Sequence, residues 1–229
     1  MTDIDFGPDK LAPKKGENYG LVGSIGSGKT TYYRKVIHRT FPRKLIVDFE
    51  KMEFDDIPRI KRNVPMQTVV KRIADTASDM TPFSWRLAVP SPEHTDLDEW
   101  MDSLCWPLIR ARRLSMLLYI DETGRFCTPH HIPEGLKAAA SLGRKRGLCI
   151  VWGTQRPQMT NNVLWNLSVH KSLFYMDRSD RGFLDDKVKA GEIDGVREEK
   201  ISNLVAKIPY HSYRSLYLGP DRTELMGPA

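Results

Sequence analysis

The stretch Gly23-Ser24-Ile25-Gly26-Ser27-Gly28-Lys29-Thr30 fits the spacing G-x-x-x-x-G-K-[ST]. Each residue type in it has a use against a polyphosphate. Glycines let the backbone curl until successive N–H groups face one point. Lys29 can reach the β- and γ-phosphates, and the Thr30 hydroxyl can bind Mg²⁺. A chance glycine-rich turn would match these four fixed positions in roughly one chain in a hundred of this length, so other signals have to agree. One is the run from Leu114 to Glu122, a hydrophobic stretch that delivers two carboxylates, Asp121 and Glu122, at its end. Beside a phosphate loop, Asp121 would hold the Mg²⁺ shell and Glu122 would orient and deprotonate an attacking water. The bland alternative is a pair of acidic residues capping a loop. Gln155, just past the apolar run Leu148–Gly153, could hydrogen-bond the γ-phosphate or the water, or could be no more than a polar strand terminus.

These side chains can act together only if the chain brings them to one edge. Asn18–Val22 reads as a strand before the loop. Apolar residues at 32, 33, 36 and 37 give 31–40 one helical face after it. Lys44–Phe49 reads as a buried strand whose tip, Asp48, either approaches a nucleotide or is a solvated strand end. Further on, Trp85–Val89, Leu114–Glu122, Leu148–Gly153 and Val169–Tyr175 read as strands, with Ser212–Leu218 as a final edge strand. Helical patterns alternate with them over Val64–Ala77, Asp96–Arg113 (kinked at Pro107), Glu134–Lys145 and Asp177–Lys189, with another helical stretch within Glu192–Ala206. Such alternation predicts βαβ units and an α/β fold with a mainly parallel central sheet flanked by helices. In such sheets ligands bind at the carboxyl ends of the strands, where Asp121 and Glu122 lie.

A chain of 229 residues can bury one core, so a single domain over 1–229 is expected, with 1–15 as a surface arm and 176–229 as a C-terminal extension of the same domain. The longest clean apolar run, Met116–Ile120, is too short to cross a bilayer. The first residues have no apolar core of a signal peptide, so secretion is not expected. A net charge of +6 suits a polyanionic partner but does not by itself indicate one. Cys105, Cys127 and Cys149 are odd in number and widely spaced, as reduced thiols would be. Cys127, His130 and His131 cluster loosely but lack a fourth ligand at a familiar spacing.

Three separated signals, GSIGSGKT, LLYIDE and the run from Leu142 to Pro157, together resemble the FtsK–HerA superfamily of ring-forming, DNA-pumping ATPases. The compact size is most similar to the genome-packaging ATPases of tailless, membrane-containing icosahedral viruses. The resemblance runs from about Tyr19 to Phe174, and the Gly-Arg-Lys and Thr-Gln-Arg-Pro elements are its most specific part. It implies a RecA-like P-loop NTPase core of the ASCE type, in which the strand ending at Thr154-Gln155 lies between the loop strand and the strand bearing Asp121-Glu122. It also implies ATP with Mg²⁺, and a homo-oligomeric ring, usually a hexamer, with each ATP held between subunits. By motif match Arg144 is the arginine that acts on the neighbour's γ-phosphate; Arg146 and Arg156 compete for that role.

The partners implied are double-stranded DNA and the capsid vertex or portal proteins, and the setting is the virion or the host cytoplasm. Unlike larger members, the chain shows no membrane anchor and no separate DNA-guiding domain. Arg59-Lys61-Arg62, Lys71-Arg72 and Arg110-Arg112-Arg113 are candidate pore or rim charges, though such runs are more often solvated faces. The competing functions are a small P-loop phosphotransferase (a nucleotide or nucleoside kinase), an assembly or export ATPase of the filamentous-phage type, and a nucleotide-dependent binding module without turnover.

Overall fold

The computed structural model describes residues 16–49, 54–61, 64–93, 95–111, 114–188, 200–220 and 223–227. The arm expected over 1–15 and the candidate charges Arg62, Arg112 and Arg113 lie outside them. The first strand, β1 (Asn18–Val22), leads into the glycine loop and then into α1 (Lys29–Tyr32). The same helix continues as a π-helical turn over Tyr33–Ile37 and a 3-10 turn over His38–Thr40. There follow β2 (Arg43–Asp48), β3 (Arg59–Ile60), α2 (Met66–Ser78), β4 (Phe83–Ala88), α3 (Leu97–Arg110) and β5 (Met116–Ile120). The second half comprises α4 (Glu134–Leu142), β6 (Leu148–Thr154), α5 (Asn162–Leu167), β7 (Ser168–Leu173), α6 (Arg178–Val188), α7 (Ile201–Ala206), β8 (Ser215–Leu218) and β9 (Thr223–Met226).

Among the described residues the strands form one nine-stranded sheet in the order β3-β4-β2-β5-β6-β1-β7-β8-β9. Every pairing from β3 to β7 is parallel, and β8 and β9 add on antiparallel. The mainly parallel sheet is as expected, and β6 does lie between β1 and β5. Two strands were not anticipated. β3 is only two residues long, too short to leave a pattern. β9 pairs outside β8, so Ser215–Leu218 is not the edge strand that 212–218 predicts.

Alternation along the central strands divides the core into two layers. On β5, Met116, Leu118 and Ile120 face the layer that also holds α2 to α5, whereas Leu117 and Tyr119 face the layer of the loop helix, with Tyr33 and Ile37. Asp96 caps α3, its carboxylate accepting from the N–H groups of Asp98 and Glu99 at 2.9 and 3.2 Å. All three thiols are buried, and burial pushes them up, Cys127 to about 12. Among the described residues, no helix is long and apolar enough to cross a membrane.

Asp48, at the tip of β2, is not among the described residues that line the pocket of Lys29 and Thr30. Its side chain is 1 % exposed and pairs at 3.5 Å with Arg86 of β4, which also reaches Asp55 at 2.8 Å. Nor is it the solvated alternative. Its work is to hold β2 against β4. Arg86→Ala removes the guanidinium from a fully buried carboxylate, and equilibrium unfolding in urea should show a loss of about 3 kcal/mol. A change below about 0.5 kcal/mol would mean that the pair carries no stability.

Candidate functional site

The glycine loop leaves β1 at the carboxyl edge of the parallel strands and is tied there by its backbone. Gly23 N–H donates to Thr154 O at 3.2 Å, and Ser24 N–H donates to Tyr175 O at 2.9 Å. The loop is therefore pinned to the tips of β6 and β7. Gly28 closes it at a φ of 106°, in left-handed territory that an L side chain resists. The Lys29 ammonium donates to Gly23 O at 2.6 Å and Ser24 O at 3.0 Å, which curls it over the loop. A phosphate entering the loop would compete with those carbonyls for the same charge.

Lys29, Thr30, Asp121 and Gln155 line one pocket of about 190 Å³, together with Ile25, Gly26, Gly28, Thr31 and Tyr213. Of the eight predicted loop residues, Gly23, Ser24 and Ser27 are not part of that lining. Gly23 and Ser24 anchor the loop, and Ser24 lines a neighbouring cavity of about 330 Å³ with Ile25, Gln155, Arg156, Tyr175, Asp177, Asp180 and Tyr210. Ser27 is buried beneath the turn.

Glu122 stands one step away. It lines a third cavity, of about 250 Å³, with Phe49, Gly124, Arg125, Thr154, Gln155, Arg156 and Met159. Gln155 lines all three cavities, so it borders both the pocket of Lys29 and the cavity of Glu122.

Tyr119, which sequence reasoning did not single out, holds the metal-binding candidate in place. Its hydroxyl donates to Asp121 Oδ1 at 2.7 Å, and Asp121 is only 1 % exposed. The Tyr119 ring stacks on Tyr33 with centroids 3.8 Å apart and planes 9° from parallel. Tyr33 opens the π-helical turn, where the His38 N–H donates to its carbonyl across five residues. Such turns often mark functional sites. The loop helix and the acidic strand tip are thereby joined through two stacked rings. On the other side, a Cβ added to Gly153 would lie 2.5 Å from Asp121 O, so β6 can lie against this strand tip only with glycine there.

The donors fit Mg²⁺. A threonine hydroxyl and a buried carboxylate are hard oxygen ligands at one pocket. Among the described residues, no three His, Cys, Asp or Glu side chains are grouped to hold an ion. A cation here would therefore rely on phosphate oxygens and water, as Mg²⁺ does.

The three arginines separate. Arg156 lines two of the cavities within its own chain. Arg144 and Arg146 are exposed on the 3-10 turn Gly143–Arg146 that precedes β6. That places them at the opposite edge of the sheet, roughly 20 Å from the far end of this seven-residue strand. Within one chain Arg144 does not join the site. Arg125 was also missed; its guanidinium lies over the Phe49 ring at 5.2 Å, beside Glu122. Of the candidate charge runs, Arg59, Lys61, Lys71, Arg72 and Arg110 are exposed, and none lines these cavities.

No protein-family model and no curated protein matches the chain. Solved structures do. The genome-packaging NTPase B204 of Sulfolobus turreted icosahedral virus 2, in complex with ATP-γS, superposes with a TM-score of 0.68 at 14% identity, covering 94% of this chain and 98% of that one. B204 of Sulfolobus turreted icosahedral virus, a DNA-packaging ATPase, gives 0.65 at 13% identity, covering 95% and 100%. The bacterial conjugative coupling protein TrwBΔN70 gives 0.59 at 13% identity, covering 94% and 85%. The fold is thus that of RecA-like P-loop NTPases, shared with these three proteins.

Tyr119→Phe keeps the ring stack and removes only the hydroxyl that orients Asp121. The Mg²⁺ concentration that half-saturates ATP binding should rise about tenfold, as for other groups that orient a metal ligand. An unchanged magnesium titration would remove Tyr119 from the site.

Proposed function

We propose that this chain is an ATP-hydrolysing motor that moves double-stranded DNA, and that its setting is the packaging of a viral genome. The observation that carries the enzymatic half is the shared pocket of Lys29, Thr30, Asp121 and Gln155, with Glu122 in a cavity that Gln155 also lines. The packaging half is supported by the end-to-end likeness to B204, which spans nearly all of both chains. That likeness favours translocation over a small phosphotransferase, an export ATPase of the filamentous-phage type or an idle binding module.

In this reading the loop N–H groups and Lys29 hold the β- and γ-phosphates, and the positive end of the helix adds to their pull. Bound Mg²⁺ would supply charge neutralisation on the phosphate oxygens, with Thr30 and Asp121 as its protein ligands. Glu122 accepts a proton from water as the water oxygen attacks the γ-phosphorus. The bond to the bridging β–γ oxygen breaks, leaving ADP and inorganic phosphate. In this reading Gln155 orients that water and senses the departing phosphate. Its contact with all three cavities gives it a route to report the event to Arg156 and the α6 side of the loop.

Arg144 enters only through assembly. In a head-to-tail ring each chain presents one edge to the opposite edge of the next, so a cation far from its own pocket can serve the neighbour's. A delocalised cation there would stabilise charge developing on the γ-phosphate. A closed ring, most simply a hexamer, would enclose a duplex. Lysine and arginine contacts to its phosphates need not read sequence and would weaken with salt. Capsid vertex proteins would be the docking partners, in the virion or the host cytoplasm.

Glu122→Gln should bind ATP as the parent does while losing at least about a hundredfold in steady-state hydrolysis. In the same phosphate-release assay, duplex DNA should stimulate the parent, with an effect that fades as salt rises. Undiminished hydrolysis by Glu122→Gln would remove Glu122 from the base role, and phosphate transfer to an added nucleoside would overturn the motor reading. For Arg144→Ala, mixing with parent chains should silence activity more steeply than the mutant fraction. A loss proportional to that fraction would argue against Arg144 acting in its neighbour's site.

A further inference from the structure

We propose that Tyr213 is the surface on which the base of the bound nucleotide stacks. The proposal rests on the phosphate-loop reading above and adds the end of the ligand that the loop does not address.

The strand order gives the pocket a direction. β5 and β6, which carry Asp121 and Gln155 at their tips, lie on one side of β1, and β7 and β8 lie on the other. β8 runs antiparallel to β7, so its start lies at the same edge as the glycine loop. Tyr213 comes two residues before that start. The pocket is therefore bounded by Asp121 and Gln155 toward β5 and β6, and by Tyr213 toward β8. The terminal phosphate belongs with the metal ligand and the water. A nucleoside must then leave the pocket toward Tyr213.

Among the described residues lining that pocket, Tyr213 is the one aromatic ring, and it is 42% exposed. One part of it lies against the loop. A Cβ added to Gly28 would come within 2.8 Å of Tyr213 Cδ1. The ring is otherwise partly exposed, in a pocket that Thr31 also lines. Nucleobases stack on such faces whatever their hydrogen-bonding edge.

The backbone is held at a cost to keep the ring there. Tyr213 has a φ of 54° and His211 a φ of 57°, left-handed conformations that residues with side chains seldom adopt. Strain of this kind persists where the surroundings enforce it, and it concentrates at ligand clamps. Here the enforcement is visible. Ser212 N–H and Oγ both donate to Pro209 O, at 3.2 and 2.7 Å, and Arg214 N–H donates to Ser212 Oγ at 3.3 Å. Tyr210 donates its hydroxyl to Ile25 O at the crown of the loop, at 3.4 Å. The segment 209–214 thus clasps the phosphate loop and presents Tyr213 at the end of the pocket away from the chemistry.

Calorimetric titration of ATP, GTP and inorganic tripolyphosphate into the full chain and its variants tests this. Tyr213→Ala should weaken both nucleotides about tenfold, the effect of losing one base–aromatic stack, while tripolyphosphate binds as to the parent. Tyr213→Phe should recover the nucleotide affinity that Tyr213→Ala loses. Equal weakening of tripolyphosphate and nucleotide, or no weakening of nucleotide, would overturn the proposal. A parent chain that fails to bind tripolyphosphate would instead overturn the phosphate-loop reading beneath it. If Tyr213→Ala does not fold, Tyr213→Trp gives a second readout. Its emission, beyond that of the native tryptophans, should be quenched by ATP and not by tripolyphosphate. Quenching by neither or by both equally would overturn the assignment.

Discussion

A triphosphate packs several negative charges into a few ångströms, so a site that holds one must gather N–H groups, an ammonium and a metal-binding carboxylate at a single point. No local stretch of chain can do this alone, because the loop and the carboxylate must come from different strands. The parallel order β5-β6-β1 meets the constraint by ending three neighbouring strands at one edge. From β1 comes the loop with Lys29, from β6 comes Gln155, and from β5 come Asp121 and Glu122. The rest of the molecule can be understood as what keeps those three tips in register.

Two devices do most of that keeping. Backbone hydrogen bonds from Gly23 and Ser24 fasten the loop to the tips of β6 and β7, so it cannot drift along the edge. Beneath it, the π-helical turn sets Tyr33 face to face with Tyr119, whose hydroxyl grips Asp121. Both rings are fully buried in the layer under the loop helix, and burial drives the Tyr33 phenol well above its usual range, so it stays neutral. The loop helix and the carboxylate are thus linked by one ring stack and one hydrogen bond.

Much of this was legible before any coordinates. The loop, the Asp-Glu pair and the strand-tip glutamine are local patterns, and each stands at a strand end where its own sequence places it. The strand order came from the resemblance and not from the residues, because periodicity says where a strand is but not which strands it joins. The π-helical turn was unreadable, since Tyr32, Tyr33, Val36 and Ile37 show the same spacing in either helix type. Asp48 looked like a possible site residue because a strand tip with a carboxylate reads alike whether it meets a ligand or a buried arginine. Tyr213 carried no signal at all, since it meets Gly28 only through the fold. Glu122 and Lys29 come to the same sheet edge but line different cavities, with Gln155 in the lining of both.

The proposed hydrolysis requires the three strand tips to close on the same triphosphate. A crystal structure of the protein with Mg²⁺ and a non-hydrolysable ATP analogue tests it most directly. The γ-phosphate should lie between the Lys29 ammonium and the Gln155 amide, with the ion at Thr30 Oγ1 and on the Asp121 side of the pocket. A triphosphate seated elsewhere, or an ion held away from Thr30 and Asp121, would contradict it.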